Sequence, residues 1–346
     1  MPNAIKYSTS AQTLALKKGN YWIGTGDVSK GPTSSTDYWN GITPPSGGYT
    51  IYVNKASQGP SIKVAANDSQ LIAFTNEIAN ASYTTVNQCF NYFAGQSDKM
   101  VVQRDYEGIV TNGLVFNLDA GYLPSYPQNG TSWYDLGLSG KTGTLTNGPT
   151  LNNENGGSIV FDGVDDYTAF SNNSLGYSAG TTGELSLEVW CNLTGPFSTY
   201  PPENLTALGG IFGQGFLNGT IGWGLTISRV GSGPYQSGFQ VRNIGTVVGV
   251  DAPFTLGVWN HVVGSFTRND FSRIYINGVL SGSTSSTPLN GMTITPNFND
   301  AAIGYGNSNN PFRVGGRVAI VRLYSKPLSA SEVLQNYNAQ KSRFGL

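Results

Sequence analysis

Leu185-Ser186-Leu187-Glu188-Val189-Trp190-Cys191-Asn192 decides the fold. Successive side chains of an extended chain point to opposite faces, so Leu185, Leu187, Val189 and Cys191 share one side and Ser186, Glu188 and Trp190 the other. The pattern predicts a strand with one face in a core and the other toward solvent or a second layer. Glu188 stands as the single acid within this stretch and reads as an ordinary solvent-face residue.

Working outward, similar β-like runs recur at 114–118, 158–161, 167–170, 223–228, 238–242, 259–267, 273–276 and 317–324. Gly, Asn and Pro clusters separate them, which predicts an all-β sandwich of about nine to thirteen strands. Asn277-Gly278 lies between Arg273-Ile274-Tyr275-Ile276 and Val279-Leu280, and both turn residues tolerate positive φ, so a tight hairpin is expected there. Ser329 and Glu332 have the spacing of a capping box for a final helix, with Val333, Leu334 and Tyr337 docking it on the sandwich.

Residues 1–105 read as a small α+β domain, 106–112 as a linker and 113–346 as the sandwich. In the first part Tyr49-Thr50-Ile51-Tyr52-Val53 is the clearest strand. Asp68 is the expected cap of a helix whose Leu71, Ile72, Thr75, Ile78 and Ala79 form one stripe. Thr85 and Gln88 have capping-box spacing ahead of Val86, Cys89, Phe90 and Phe93, and Lys99-Met100-Val101-Val102 reads as a last strand. Short strands and turns are expected at 20–24, 30–35 and 41–48, and Gly24-Thr25-Gly26 reads as a turn rather than a phosphate loop, because no third glycine or helix follows.

Composition limits the function. Charged residues make up 11% of the 346-residue chain, against about 25% in an average soluble domain. The net charge is −1, and the 19 Lys and Arg are scattered, which disfavours nucleic-acid and anionic-membrane partners. Residues 1–10 lack a basic flank followed by an apolar run, so the expected chain is made in the cytoplasm without a secretory leader. Cys89 and Cys191, the two cysteines, fall in different predicted domains and read as buried thiols.

Five motifs occur in order: Phe161-Asp162-Gly163-Val164-Asp165-Asp166-Tyr167, Leu187-Glu188-Val189-Trp190, Trp259-Asn260-His261-Val262-Val263, Ile274-Tyr275-Ile276-Asn277-Gly278 and Val321-Arg322-Leu323-Tyr324-Ser325-Lys326-Pro327-Leu328-Ser329. The set resembles the signature of the laminin-G-like branch of the concanavalin A-like lectin/glucanase superfamily, over roughly residues 113–340. The resemblance implies a mainly β fold, a two-sheet jelly-roll sandwich behind the small α+β domain. Where the family pattern tends to place an acid, within Gly316-Arg317-Val318-Ala319-Ile320, this chain has Ala319.

A narrower resemblance concerns role. Arg104-Asp105-Tyr106-Glu107-Gly108-Ile109-Val110-Thr111-Asn112-Gly113-Leu114-Val115, Ser132-Trp133-Tyr134-Asp135-Leu136 and Asn336-Tyr337-Asn338-Ala339-Gln340-Lys341 resemble structural proteins of tailed bacteriophages, especially marine ones. So do Gly41-Ile42-Thr43-Pro44-Pro45 and Tyr49 to Ala56 in the first domain. This implies a virion component, a capsid decoration or a fibre-like appendage on the virion surface. Its implied partners are capsid or tail subunits and further copies of itself in a homo-oligomer, contacted through the first domain, together with host glycans.

For chemistry, glucanases need two carboxylates reaching one sugar bond. Glu184 and Glu188 are four residues apart, not an i, i+2 pair, and His261 is the single histidine, read as structural, so a non-enzymatic protein is expected. A glycan depolymerase with carboxylates converging from distant loops and a purely structural cement protein without glycan binding stay open as alternatives. The turn Asp162, Asp165 and Asp166 offers three carboxylates that suit calcium; Asp and Gly are also simply what a tight turn selects. Trp133, Tyr134, Trp223, Tyr235, Tyr305 and Phe312 are candidate platforms for sugar stacking. The loop with Tyr305, Asn307, Asn309, Asn310 and Phe312 combines such rings with amides and is the expected glycan contact.

Overall fold

The computed structural model describes residues 13–18, 21–27, 49–55, 59–94, 99–103, 108–122, 125–136, 140–170, 175, 177–200, 205–215, 221–296, 301–304 and 312–346. The chain forms two compact units, Met1–Glu107 and Gly108–Leu346.

In the first unit β1 (Thr13–Lys18) pairs antiparallel with β2 (Tyr21–Asp27). Gly24-Thr25-Gly26 is not a turn but lies inside β2, opposite Leu16, Ala15 and Leu14. Pairing to a partner strand, invisible to local reading, holds these glycines extended. β3 (Tyr49–Lys55) is the centre of a second sheet, flanked by β4 (Gly59–Ala65) and β5 (Lys99–Gln103). Between β4 and β5 run α1 (Asp68–Ala79) and α2 (Val86–Ala94). Asn67, not Asp68, caps α1 by accepting from Gln70 N at 3.0 Å; the Asp68 carboxylate instead accepts from Tyr49 Oη at 2.6 Å. At α2, Thr85 and Gln88 bond reciprocally as their spacing predicts. Leu71, Thr75, Cys89 and Phe93 are buried, as are Tyr49, Ile51, Ala65 and Val101 of the sheet. The turns expected at 30–35 and 41–48 lie outside the described residues.

The second unit holds sixteen strands among the described residues. They are β6 (Leu114–Asp119), β7 (Ser132–Tyr134), β8 (Thr142–Thr146), β9 (Thr150–Asn152), β10 (Ser158–Asp162), β11 (Tyr167–Phe170), β12 (Leu185–Tyr200) and β13 (Leu205–Gln214), then β14 (Gly222–Val230), β15 (Gln236–Asn243), β16 (Thr246–Pro253), β17 (Asn260–Phe266), β18 (Phe271–Ile276), β19 (Val279–Ser285), β20 (Ala302–Ile303) and β21 (Val314–Tyr324). One sheet has the order β19-β18-β17-β12-β21, with β6 and the β10-β9 pair sharing the far side of β21. The other runs β16-β15-β14-β13-β20-β11-β8-β7, and the end of β12 continues into it through β13. The count exceeds the expected nine to thirteen because a periodicity reading passes over several strands. β7, β9 and β20 are two or three residues long, and β13 carries Gly209, Gly210 and Gly213, which read as turn residues.

Leu185, Leu187, Val189 and Cys191 point into the main core as the alternation predicts, with Phe116, Trp223, Leu225 and Phe239 in the same cluster. Each such side chain, fully removed from water, contributes about 1.5–3 kcal/mol before conformational entropy is subtracted. Asn277 and Gly278 both have positive φ, 51° and 80°, and close the β18–β19 hairpin.

The last helix, α3 (Ala330–Gln340), starts at the Ser329–Glu332 capping box. Of the three expected docking residues, Val333 and Tyr337 pack in the apolar clusters of the sandwich and Leu334 does not. Val333, Asn336 and Gln340 are buried, whereas Leu334 is 46% exposed. The reason is the surface beneath: α3 and the turn that follows it (341–344) cover the outer face of the first sheet, and the centre of that face is polar. From Gly108 onward, moreover, the expected linker belongs to the sandwich, since Val110 N donates to the Asn336 carboxamide at 2.7 Å.

Candidate functional site

The outer face of the first sheet collects the side chains that alternation points away from the core. Glu188 sits on β12, directly opposite Arg322 of β21, while Trp190 on the same strand faces His261 of β17. Glu188 is not a solvent-face residue. It is 0% exposed, because α3 lies over it. Its Oε1 accepts from Arg322 Nη1 at 2.6 Å and faces His261 Nε2 at 3.2 Å. Its Oε2 accepts from Asn336 Nδ2 at 2.7 Å and Tyr324 Oη at 3.3 Å. Arg322 Nε in turn donates to Asn117 of β6 at 3.1 Å. Nδ1 of His261 has no hydrogen-bond partner among the described residues, which places the proton that matters on Nε2, toward the carboxylate.

Burial alone would raise the pKa of Glu188; Arg322, His261 and Asn336 outweigh it and hold the carboxyl at about 2. Burial likewise opposes the charge on Arg322, yet Glu188 raises its pKa on balance. The charged pair is thus locked, with every carboxylate lone pair near a donor. Beside it Trp190 stacks on Phe344 with centroids 4.4 Å apart and on Tyr337 at 5.8 Å. A sugar ring cannot reach this carboxylate, and no second acid shares its face of β12. Glu184 is engaged elsewhere, accepting from Arg268 N at 2.9 Å. His261 is fully buried in the same hub. Sequence reading passed over Arg322, Tyr324 and Asn336; an arginine within the otherwise apolar 318–323 run, on the same face as Glu188, was the available signal.

In the acidic turn Asp162 and Asp165 are exposed and Asp166 is buried. Asp162 ends β10, and Asp165 and Asp166 complete the link to β11. Gly163 is required there: its φ is 76°, and a Cβ would fall 2.4 Å from the Pro196 carbonyl oxygen. Asp162 Oδ1 accepts from the backbone N–H groups of Val164, Asp165 and Asp166 at 2.8, 3.2 and 3.3 Å, and these bonds lower its pKa. Asp166, buried, has its pKa raised by desolvation and by its two acidic neighbours. Its Oδ2 accepts from Asp162 N at 3.0 Å. Carboxylate oxygens of the three residues lie within 4.8 Å of one another, a spacing compatible with one calcium ion at Ca–O distances of about 2.3–2.6 Å. Asp162 Oδ1 and Asp166 Oδ2 already serve the turn, and Arg313, stacked 5.1 Å from the Tyr167 ring centroid, attracts both Asp162 and Asp166. The set fits calcium only with water or further oxygens completing about six to eight ligands.

Of the expected aromatic platforms, Trp133 and Trp223 are core residues at 0% exposure. Tyr134 is exposed, and Tyr235 is half-buried under the Arg229 guanidinium, 4.7 Å from the ring centroid. Alternation could not show that the inward side of β7 and β14 holds the tryptophans. Phe312 is buried; Tyr305, Asn307, Asn309 and Asn310 lie outside the described residues. Both cysteines are free and buried, and burial pushes the Cys191 thiol up to about 12, so it is inert at neutral pH.

No curated protein matches the chain in sequence. Among solved structures it is similar to the binding domain of Paraclostridial mosquitocidal protein 1, with 16% identity over 66% of this chain and 52% of that one, at a TM-score of 0.47. It is similar also to the botulinum neurotoxin serotype G binding domain (16% identity, 66% and 51% covered, TM-score 0.47). A third is the serotype D ligand binding domain in complex with N-acetylneuraminic acid (14% identity, 67% and 52% covered, TM-score 0.48). The chain spans about half the length of these structures. The laminin-G-like family model of the concanavalin A-like lectin/glucanases superfamily matches residues 162–334, half of the chain and the part that carries the acidic turn, Glu188, His261, Arg322 and Tyr324 of the buried hub, and most of both sheets. The chain therefore belongs to the concanavalin A-like lectin/glucanase superfamily, in its laminin-G-like branch.

Proposed function

We propose that this protein is a non-enzymatic contact module of a tailed-bacteriophage particle, a capsid decoration or fibre-like appendage, whose sandwich makes weak multivalent contacts with glycans or the host surface. The observation that carries the non-enzymatic part is the state of Glu188. The acid on the central strand of the fold is sealed beneath α3 and saturated by four donors, so it has neither access nor lone pairs for a glycosidic bond. The phage setting rests on the resemblance carried by residues 104–115, 132–136 and 336–341, and attachment and self-association are assigned to the first unit.

Contact is assigned to the acidic turn, whose carboxylates could take calcium, and to Tyr305, Asn307, Asn309 and Asn310, whose rings and amides suit a sugar by their chemistry. Copy number multiplies weak contacts, by about 10²–10⁴ for linked sites, without any single strong pocket. Screening the full-length chain against host surface polysaccharides, with and without calcium, is expected to show weak binding that strengthens on multivalent display. Silence across the panel overturns the glycan contact and leaves a cement role. Cleavage of any polysaccharide overturns the non-enzymatic reading, and failure of an antibody against the chain to label purified particles overturns the virion assignment.

A further inference from the structure

The first and last segments of Gly108–Leu346 are bonded to each other along their length. Gln335 Nε2 donates to Gly108 O at 2.8 Å, Val110 N to Asn336 Oδ1 at 2.7 Å, and Ser325 N to Gly113 O at 2.7 Å. β6 also pairs with β21, but antiparallel, from Leu114 opposite Tyr324 to Asp119 opposite Ile320, so that pair stands apart from the contacts to the helix. Farther on, Arg343 Nη1 meets both Asp119 oxygens, at 2.8 and 2.9 Å, with both side chains buried. Val110 also packs in one apolar cluster with Tyr324, Leu328 and Val333.

The direction of these contacts matters. Gly108 and Val110 meet residues 335 and 336, and Asp119, later in the chain, meets residue 343, also later. The lead-in (108–119) and the helix with its tail (335–343) therefore run the same way. Tension pulling residue 108 backward and residue 346 forward slides one segment along the other. Bonds loaded in that way share the force and must break together; bonds peeled from one end break singly and at lower load. Asn336 is at the centre. Its Oδ1 holds the lead-in, while its Nδ2 donates to Glu188 Oε2 at 2.7 Å and to Tyr324 Oη at 3.0 Å. Force arriving at Val110 passes through this one amide into the Glu188–Arg322 pair in the middle of the sheet.

We propose that the lead-in and the C-terminal helix form a force-bearing clasp, pinned by Asn336, that keeps the sandwich folded under tension along the chain. The clasp follows from the contacts alone and holds whether or not the sandwich binds glycan. It requires that resistance to pulling be set by these contacts rather than by the general stability of the sandwich, since forced unfolding follows the unfolding barrier and not the equilibrium free energy.

Single-molecule pulling of the full-length chain, held at its two ends, tests it. Rupture of Gly108–Leu346 is recognised by its released contour length, at about 3.3–3.6 Å per residue. Asn336→Ala is expected to raise the unfolding rate at constant force about tenfold, the change when one buried hydrogen-bonded group is lost from the barrier. Gln335→Ala, outside the buried hub, is expected to act in the same direction more weakly and serves alone if Asn336→Ala does not fold. Val248→Ala in β16, on the other sheet, is expected to lower the urea midpoint yet leave the rate under load unchanged. The proposal is overturned if the folded clasp variants rupture like the parent chain, or if Val248→Ala accelerates rupture as much as they do.

Discussion

Arg322 Nη1 lies 2.6 Å from Glu188 Oε1, and the two side chains are 2% and 0% exposed. A pair this deeply buried is poor evidence of net stabilisation, because desolvating two charges offsets most of their attraction. It is strong evidence of mutual dependence. Removing one partner leaves the other charged and without compensation in the layer between the first sheet and α3.

Glu188→Gln is accordingly expected to destabilise the second unit by about 3–5 kcal/mol, read as a lower urea midpoint. Combining it with Arg322→Met is expected to recover part of that loss, since no stranded guanidinium remains. A double variant as unstable as the sum of the two singles rejects the coupling.

The same carboxylate sets an acid sensitivity. Its pKa is lowered from 4.5 to about 2 on folding, so its contribution is fully present above the unfolded value and is lost as pH falls from 4.5 toward 2. The sign follows because the unfolded chain binds the proton more readily over that window. The shift corresponds to ~3 kcal/mol. Unfolding free energy measured between pH 5 and about 2 is expected to fall more steeply in the parent chain than in Glu188→Gln. Parallel curves exclude Glu188 as the cause.

Calcium is expected to raise the melting temperature of the full-length chain, by an amount equivalent to ~2.7 kcal/mol at a hundredfold excess over Kd. Asp165→Ala is expected to abolish the rise while preserving the calcium-free melting temperature, because no hydrogen bond of the turn uses that side chain among the described residues. A melting temperature indifferent to calcium assigns the acidic turn to backbone capping alone.

Gly278→Ala tests the hairpin against the helix. The added methyl meets both a φ of 80° and the Tyr337 and Leu334 side chains, at 3.0 and 3.2 Å. A loss of about 1–3 kcal/mol is expected, measured by thermal unfolding. Asn277→Asp, which keeps the turn conformation accessible and retains an acceptor for the His261 N–H, is expected to cost less.

Much of the fold was legible because its signals are local. The Leu185-to-Cys191 alternation, the Asn277-Gly278 turn and the Ser329–Glu332 cap each depend on backbone geometry within a few residues, and each appears as read. The acidic turn was legible for the same reason, its carboxylates being neighbours in the chain. Strands such as β13 and β20 were not, since glycines or extreme brevity erase periodicity and only the neighbouring strand defines them.

By itself the sequence determined which faces exist: an apolar face for the core of each strand, a polar or aromatic reverse, and a helix to finish the chain. Only the tertiary structure decided what covers that reverse face. Glu188, Arg322, Tyr324 and Asn336 are as many as 148 positions apart, and an isolated acid at an outward position looks identical whether water or a helix lies above it. Placing α3 there turned a presumed surface carboxylate into a buried anchor. Periodicity assigns a side chain to a face, whereas burial depends on what the rest of the chain brings to that face.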